Sequence, residues 1–407
     1  MQTNLSPWAK TLPRAQEAER ILRSCVHCGF CNATCPTYLD QGNELDGPRG
    51  RIYLIKNLLE GEPASPVVQQ HLDRCLTCRN CETTCPSGVN YHALLDIGRA
   101  VVEDQVKRPF KQRLKREALK RVVPEASRFQ RLLKVGQLAR PLLPASLAEH
   151  IPAHITPAKS YPMPRHERKI MLLDGCVQSS LSPNTNAATA RVLDRLGVSV
   201  HVVQNATCCG ATDYHLNEQE KGLQRARRNI DAWWPALEKG CEAIVQTASG
   251  CGAFVKEYGS LLSQDPDYAA KAQVISAKAV DLVEYLEQLD LEQLDVSTRG
   301  QRLAFHCPCS LQHAQKLSGR VEGVLQRLGF TLTAVPDGHL CCGSAGTYSI
   351  TEPDISRRLR DRKMAALESD KPDVIATANI GCQMHLQGAG RTPVHHWIEL
   401  LEQALEP

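Results

Sequence analysis

Long apolar runs are missing from this sequence. It contains no stretch of about 18 apolar residues, and residues 1–10 lack the hydrophobic centre of a signal peptide. We therefore expect a cytoplasmic protein with neither a transmembrane helix nor a signal peptide. Aromatic residues make up only 5% of the 407 residues and the formal net charge is +4. These values argue against a nucleic-acid partner, which needs stacking surfaces or a strong positive field.

Nucleotide-binding fingerprints are missing as well. The nearest approach to Gly-x-Gly-x-x-Gly starts at Gly250 and Gly252 but has Val255 where the third glycine belongs. No phosphate-binding glycine loop followed by Lys and Ser or Thr occurs. We therefore expect no flavin or nicotinamide on this chain and assign it no catalytic residue. Two-electron chemistry is expected on a partner.

Cysteine, in contrast, is abundant, with 18 residues. A reducing cytosol disfavours structural disulfides, so clustered cysteines there are more often metal ligands or redox groups. Eight cysteines lie between residues 25 and 85, none between 86 and 175, and ten between 176 and 382. This distribution divides the chain into two cysteine-bearing parts.

The first part contains the motif Cys-x-x-Cys-x-x-Cys-x-x-x-Cys-Pro twice, starting at Cys25 and at Cys75. Three closely spaced thiolates wrap one face of an iron–sulfur cubane, and the fourth cysteine, before proline, ligates the other cluster in two-cluster ferredoxins. Zinc is the alternative, but all-cysteine zinc modules use two Cys-x-x-Cys pairs separated by a longer loop. The motifs predict two 4Fe–4S clusters with these ligands: Cys25, Cys28, Cys31 and Cys85 for cluster 1, and Cys75, Cys78, Cys81 and Cys35 for cluster 2.

The 39 residues between Cys35 and Cys75 include a helix-like stretch, Arg51–Glu60. This favours a helical two-cluster module, similar to that of succinate dehydrogenase iron–sulfur subunits, over a compact β-hairpin ferredoxin. Arginines near the ligands either raise the cluster potentials or, as is more common for this residue, are solvated at the surface. They are Arg49, Arg51, Arg74 and Arg79.

The second part of the chain is an internal repeat. Cys176 is followed after 31 residues by Cys208-Cys209-Gly210, and Cys309 is followed after 31 residues by Cys341-Cys342-Gly343. Each copy has three short apolar runs alternating with helical stretches, which predicts a small parallel sheet with the cysteines in loops at the strand ends. The runs are 170–173, 198–203 and 243–245 in the first copy, and 303–305, 331–335 and 374–376 in the second.

This repeat resembles the cysteine-rich domain of heterodisulfide reductases and of flavoenzyme partner subunits. The glycine after each cysteine pair permits a tight turn that lets adjacent thiolates face one centre. The fuller family motif has one more cysteine, which is replaced here by Ala248 and Asn379. A further iron–sulfur centre, a quinone-side redox centre and a simple thiol pair all remain open for these candidates: Cys176, Cys208, Cys209 and Cys251, and Cys309, Cys341, Cys342 and Cys382.

We therefore predict an α+β multidomain chain. Residues 1–105 form the helical two-cluster ferredoxin domain, 106–165 a basic helix and Pro-rich connector, 166–295 the first cysteine-rich α/β domain and 296–407 the second. The basic stretch Lys107–Arg121 has eight Lys or Arg residues and one acid. It predicts either a solvated helix or a helix that contacts an anionic membrane surface.

The complete arrangement resembles the iron–sulfur subunits of glycolate oxidase, anaerobic glycerol-3-phosphate dehydrogenase and lactate-utilisation oxidases. Within that set it is most similar to glycolate oxidase. The segments that carry this resemblance are Cys25-Val26-His27-Cys28-Gly29-Phe30-Cys31, residues 45–53, residues 76–86 and His306-Cys307-Pro308-Cys309.

The resemblance implies an electron-transfer subunit that works with FAD-binding subunits oxidising glycolate to glyoxylate. It passes electrons to a quinone or another membrane acceptor and lies peripherally on the cytoplasmic face of the inner membrane. The alternatives are an iron–sulfur subunit of a lactate or anaerobic glycerol-3-phosphate dehydrogenase, or a heterodisulfide-reductase-like thiol/disulfide reductase. The missing cysteines at positions 248 and 379 argue against the reductase.

Overall fold

In residues 1–117 every regular element is helical, which confirms the predicted helical module. The computed structural model describes residues 1–142, 148, 151–203 and 205–405. The chain divides into two compact units: Met1–Glu117 with His339–Lys363, and Ala118–Gly338 with Met364–Pro407. Part of the second cysteine-rich copy therefore belongs to the unit of the N-terminal helices, which the sequence analysis did not anticipate.

Prolines begin several helices of the first unit. Pro36, Pro48 and Pro66 each occupy the first helical turn, where the missing N–H group costs no hydrogen bond. The predicted stretch Arg51–Glu60 lies inside one of these helices. The α-helices that begin in residues 1–117 are Ala15–Ser24, Phe30–Ala33, Pro36–Gln41, Pro48–Glu60, Pro66–Asp73, Asn80–Thr84, Tyr91–Gln105 and Phe110–Val122.

The core of the first unit forms where the helix Pro48–Glu60 crosses the helix Tyr91–Gln105. Ile55, Leu94 and Leu95 have no exposed surface. Gly98 permits the close approach, because a Cβ atom there would lie 2.6 Å from Ile55 Cγ1. The two ligand motifs lie on loops and short helices that pack on this core, so its packing fixes their positions.

Two four-stranded parallel sheets of the same topology build the second unit. The strand orders are β2-β1-β3-β4 and β6-β5-β7-β8, which confirms the repeat and the parallel sheets. The fourth strand of each copy was missed by the sequence analysis. The strands are β1 (Arg168–Leu172), β2 (Val198–His201), β3 (Ile244–Gln246), β4 (Ala279–Asp281), β5 (Arg302–His306), β6 (Thr331–Leu332), β7 (Val374–Thr377) and β8 (Val394–His396).

The helices between these strands follow the predicted alternation. An additional helix, Ala126–Ala139, lies between Pro124 and Pro141, where the sequence analysis expected only a connector. The other α-helices are Gln178–Leu181, Asn184–Arg195, Ala211–His215, Gln219–Glu238, Ser249–Lys256, Tyr258–Leu261, Ala269–Lys278, Leu282–Leu286, Arg320–Arg327, Tyr348–Thr351, Pro353–Leu367, Ile380–Gln387 and Trp397–Ala404.

One hydrophobic core serves both copies. It contains Ile170 and Val245 from the first sheet and Leu303 and Ala376 from the second, and it extends to the fully buried Trp397. Backbone bonds also join the copies, since Ser249 N–H donates to Ala378 O at 3.1 Å. The carboxyl ends of the strands lead toward the cysteines, as predicted. The expectation that all of these cysteines lie in loops is wrong for Cys251 and Cys382, which lie in the first turn of the helices Ser249–Lys256 and Ile380–Gln387.

Candidate metal centres

The two ligand loops of the first unit have the same unusual backbone. The residue two positions after the first cysteine has a positive φ in both loops, 60° at His27 and 54° at Thr77. The residue after the second cysteine does so as well, with 89° at Gly29 and 62° at Arg79. A left-handed conformation costs roughly 1–3 kcal/mol at residues other than glycine, and such strain tends to persist at functional sites. Both motifs are therefore held in one ligand-presenting conformation.

The four cysteines predicted for cluster 1 line one cavity. Cys81 also contributes to its wall. Burial, followed by the neighbouring thiolates of Cys25 and Cys85, raises the pKa of Cys31 to about 12. Cys28 is the exposed cysteine of this set. The lining residues that concern the cluster are Cys25, Cys28, Cys31, Cys85, Arg49 and Tyr91.

The cysteines predicted for cluster 2 also lie close together. Burial, and then the thiolates of Cys78 and Cys75, raise the pKa of Cys81 well above its usual range. Burial likewise raises the pKa of Cys35, on which Cys78 acts in the same direction. The structure thus brings together the residues of each predicted ligand set, including the cysteine that each motif contributes to the other set.

Arg51 is a fully buried cation beside this second set. Its Nε–H donates to His71 O at 2.7 Å and its Nη1–H to Thr37 Oγ1 at 3.1 Å. Its Nη2 lies 3.5 Å from Asp46 Oδ1 without a hydrogen bond. The expectation of surface solvation is therefore wrong for Arg51, because Asp46 and His71, which lie on other elements, enclose it.

The donor set and the charge around it fit a 4Fe–4S cluster. Buried thiols with raised pKa values need a strongly cationic partner to exist as thiolates, and iron supplies that charge. The thiolate-ligated cluster is anionic, and Arg51 offers it a buried positive charge with an unused N–H donor. Further donors already point at Cys75 Sγ, since Thr77 N–H lies 3.4 Å and Tyr91 Oη 3.7 Å away. When bound, such clusters supply one-electron redox chemistry.

The first cysteine-rich copy brings its four candidates together in the second unit. Hydrogen bonds from Cys176 and Cys209 hold the pKa of Cys208 well below its usual range, and the guanidinium of Arg225 adds to this effect. The same bonds raise the pKa values of Cys176 and Cys209, and Cys209 also bonds Cys251. The four cysteines therefore form one connected group, in which Cys208 is the thiol with the lowered pKa.

Glycine is required in both Cys-Cys-Gly turns. Gly210 has φ +98° and Gly343 has φ +90°. A Cβ atom would lie 2.5 Å from Gly222 O in the first turn and 2.6 Å from Ser356 O in the second. These positive φ values confirm the tight turn that the sequence analysis expected, and they add a close backbone approach that it did not show.

The cysteines of the second copy are divided between the two units. Cys341 and Cys342 belong to the first unit, whereas Cys309 and Cys382 belong to the second. Asn379, which replaces the missing cysteine, donates from Nδ2 to Cys382 Sγ at 3.5 Å, and its Oδ1 accepts from Gly250 N–H at 3.4 Å. Asn379 is thus a partner of the next cysteine, a contact that no sequence signal indicated.

Comparison with known proteins agrees with this architecture. Residues 21–89 match the family described as 4Fe-4S dicluster domain, and residues 170–256 and 303–387 match the family described as cysteine-rich domain. A solved structure, described as a hypothetical protein from Helicobacter pylori, shares the fold with a TM-score of 0.54. It has 10% sequence identity over 98% of this chain and 73% of that chain. The chain is thus a two-cluster iron–sulfur protein with two cysteine-rich domains.

Curated relatives define the family more narrowly. The chain is 65% identical, over 100% of both chains, to the glycolate oxidase iron-sulfur subunit of Escherichia coli K12. It is 31% identical to the probable glycolate oxidase iron-sulfur subunit of Bacillus subtilis 168, over 92% of this chain and 90% of that one. Lactate utilization protein A of Bacillus velezensis is 30% identical over 54% of this chain and 91% of its own. The chain belongs to the family of glycolate oxidase iron–sulfur subunits.

Proposed function

We propose that this chain is the electron-transfer subunit of a glycolate oxidase complex. Oxidation of glycolate to glyoxylate releases two electrons and two protons, which an FAD on a partner subunit would accept. This chain would pass the electrons singly toward a quinone or another membrane acceptor. The observation that carries the proposal is the convergence of two four-cysteine sets in one helical unit of a chain that matches the family over its full length.

The chemistry on the hydroxyacid is assigned to the partner. The ligand sets proposed here remain those predicted from the motifs, with Cys85 and Cys35 exchanged between the loops. The helices that carry them are fixed by the Ile55–Leu94 core, so the clusters would be held at a constant separation. A rigid frame of this kind suits one-electron transfer, which gains from small reorganisation of the protein. The four connected cysteines of the first copy, among which Cys208 has the lowered pKa, are proposed as a further redox or cluster-binding group.

Metal analysis tests this proposal first. Iron and acid-labile sulfide are measured per chain on anaerobically purified protein, together with electron paramagnetic resonance after reduction. Two cubane clusters correspond to about eight iron per chain, and about twelve or more would place further clusters in the cysteine-rich copies. Zinc in place of iron would refute the proposal.

The substrate is tested in the assembled complex. Glycolate is expected to bleach both the flavin and the iron–sulfur absorption, whereas lactate should do so more slowly at the same concentration. If glycolate reduces the flavin while the clusters stay oxidised, this chain is not the electron carrier. If lactate is the faster reductant, the alternative assignment to a lactate dehydrogenase is correct.

We also propose a peripheral membrane contact, on the next helix along the chain and not on the predicted stretch Lys107–Arg121, where Arg108 and Arg116 pair with Asp73. No helix in the part of the chain that the structure describes is long and apolar enough to cross a bilayer. The helix Ala126–Ala139 instead exposes apolar residues beside cations, a pattern typical of helices that lie on an anionic lipid surface. The exposed residues of this surface are Arg128, Arg131, Leu132, Lys134, Val135, Leu138 and, just beyond the helix, Leu142.

Vesicle binding tests the membrane contact. Each cation near an anionic surface contributes about 1 kcal/mol, so Arg131→Glu should weaken binding to phosphatidylglycerol vesicles by about tenfold or more. Lys239→Glu reverses an exposed charge elsewhere and is the matched control. Equal binding of both variants, or equal binding of the unsubstituted chain to phosphatidylcholine vesicles, would contradict the contact.

A further inference from the structure

The two Cys-Cys-Gly turns are held by different parts of the molecule. In the first copy, Asn229 Nδ2–H donates to Cys208 O at 3.1 Å, and Tyr258 Oη–H donates to Cys209 O at 2.6 Å. Both residues belong to the second unit, as do the cysteines that they hold. The first turn is therefore fixed by its own copy.

The second turn is bonded to the ferredoxin loops instead. Asn80, which precedes Cys81, donates one amide hydrogen to Thr34 O at 2.9 Å and the other to His339 O at 3.0 Å. Thr34 precedes Cys35, and His339 lies two residues before Cys341. One buried amide thus links two predicted cluster 2 ligands to the second turn.

Tyr348 makes the second link. Its Oη–H donates to Arg74 O at 3.0 Å, immediately before Cys75, and its side chain is buried. Burial and Glu352 raise the pKa of its hydroxyl, and the thiolates of Cys75 and Cys341 act on it in the same direction. The ring of Tyr348 therefore lies near both a predicted cluster 2 ligand and the second turn.

Further bonds keep the segment 339–363 in this place. Ser356 Oγ–H donates to Gly343 O at 2.7 Å within the segment. Arg358 pairs with Asp40 at 2.7 Å, and Lys115 Nζ donates to Ile350 O at 3.1 Å. The last two contacts are exposed and contribute little. The buried bonds of Asn80 and Tyr348 are the ones that set the position of the turn.

We propose that the second Cys-Cys-Gly turn is a fixed part of the surroundings of cluster 2, held there by Asn80 and Tyr348 as positioning residues. The two cysteine-rich copies then have different tasks: the second contributes its segment 339–363 to the ferredoxin unit, and the first serves a separate centre. This inference rests on the proposed function, because it takes Cys75 and Cys81 to be cluster ligands.

The test compares Tyr348→Phe and Asn80→Ala with Tyr258→Phe in the full-length, anaerobically purified chain. Tyr258→Phe is the matched control, because it removes a buried hydroxyl that bonds a carbonyl of the other turn. Hydrogen exchange is followed by mass spectrometry in peptides covering 72–85 and 339–352. Loss of the one buried hydrogen bond of Tyr348 should accelerate exchange about fivefold in both peptides, and Asn80→Ala, which loses two bonds, should accelerate it at least as much. The control should accelerate exchange in neither peptide.

Cluster potentials supply a second measurement. Redox titration followed by electron paramagnetic resonance should show a shifted midpoint for one of the two clusters in Tyr348→Phe and Asn80→Ala, and two unchanged midpoints in Tyr258→Phe. Faster exchange confined to 339–352 with both midpoints unchanged would overturn the inference. So would an equal shift in Tyr258→Phe. If one test variant fails to fold, the other decides, and iron analysis of the unsubstituted chain tests the proposed function independently.

Discussion

Asp281 and His396 occupy equivalent positions in the two copies, and each caps the helix that follows its strand. Asp281 Oδ1 accepts from Val283 N–H at 3.2 Å, and His396 Nδ1 accepts from Ile398 N–H at 3.3 Å. Each residue also contacts the other copy. His396 Nε2–H donates to Thr247 O at 2.8 Å, and Gln315 Nε2 lies 3.5 Å from Asp281 Oδ2. The junction between the copies thus depends on two buried titratable groups.

Protonation of His396 should destabilise the second unit in acid. Burial lowers the pKa of His396 from 6.5 to about 4 in the folded chain. Its contribution to stability is therefore present above pH 6.5 and is lost as pH falls toward 4. The free energy of unfolding should fall by about 2 kcal/mol between pH 7 and pH 5. Urea denaturation of the chain and of His396→Asn measures this, and an equal loss in the variant would contradict the assignment.

Asp281 should make the free energy of unfolding change with pH in the opposite direction, so that stability falls as pH rises. Burial raises its pKa from 3.8 to about 7, Glu284 acts in the same direction, and Lys256 opposes them. Its favourable contribution to the free energy of unfolding is fully present below pH 3.8 and is lost as pH rises to about 7. From pH 6 to pH 8 the free energy of unfolding should fall by about 1 kcal/mol. Asp281→Asn keeps a capping oxygen but does not titrate, so a persistent slope in this variant would assign the effect elsewhere.

Removal of the Arg51 charge should make cluster 2 harder to reduce. Two unit charges several ångström apart interact by a few kcal/mol at an effective dielectric constant of about 20. For a one-electron couple this corresponds to a midpoint potential lower by roughly 100 mV in Arg51→Gln. Arg51→Lys keeps the charge and should recover most of the shift. Redox titration followed by electron paramagnetic resonance measures the midpoint potential of cluster 2 in both variants. An unchanged midpoint in Arg51→Gln would contradict the prediction that the Arg51 charge raises this potential.

Alanine at Gly343 should destabilise the second turn. The positive φ alone costs about 1–2 kcal/mol for a residue with a Cβ atom, and the contact with Ser356 O adds to this. Gly329→Ala is the control, because Gly329 also has a positive φ, +85°, but open space around its Cα atom. Thermal unfolding should show a clearly larger loss for Gly343→Ala. Equal losses would mean that the backbone approach is relaxed at no cost.

Cysteine spacing and apolar periodicity predict much of the fold and of the candidate sites. The spacing of the two motifs predicted sets that the structure does bring together, and the repeat predicted two sheets of one topology. The missed strands Ala279–Asp281 and Val394–His396 have three residues each and run directly into a helix, so they show no alternation. The helix Ala126–Ala139 was not predicted, because the prolines that flank it indicated a connector.

Other features depend on contacts that no local pattern records. Arg51 is buried because Asp46 and His71, on other elements, close around it. The hydrogen bond from Asn379 to Cys382 depends on the side-chain rotamer of an apparently ordinary substitution. The membership of His339–Lys363 in the first unit is set by partners about 260 residues away, such as Asn80. Sequence distances of this size leave no periodic signal.

The core shared by the two cysteine-rich copies has a consequence for how such a protein can evolve. Ile170 and Val245 pack in the same buried cluster as Leu303 and Trp397, so a gene encoding one copy would encode half of a core. Loss of either half would expose apolar surface that ordinarily never meets water. The two copies therefore depend on each other for folding: their cysteine chemistry can differ, but removal of either copy would leave the apolar surface of the other exposed.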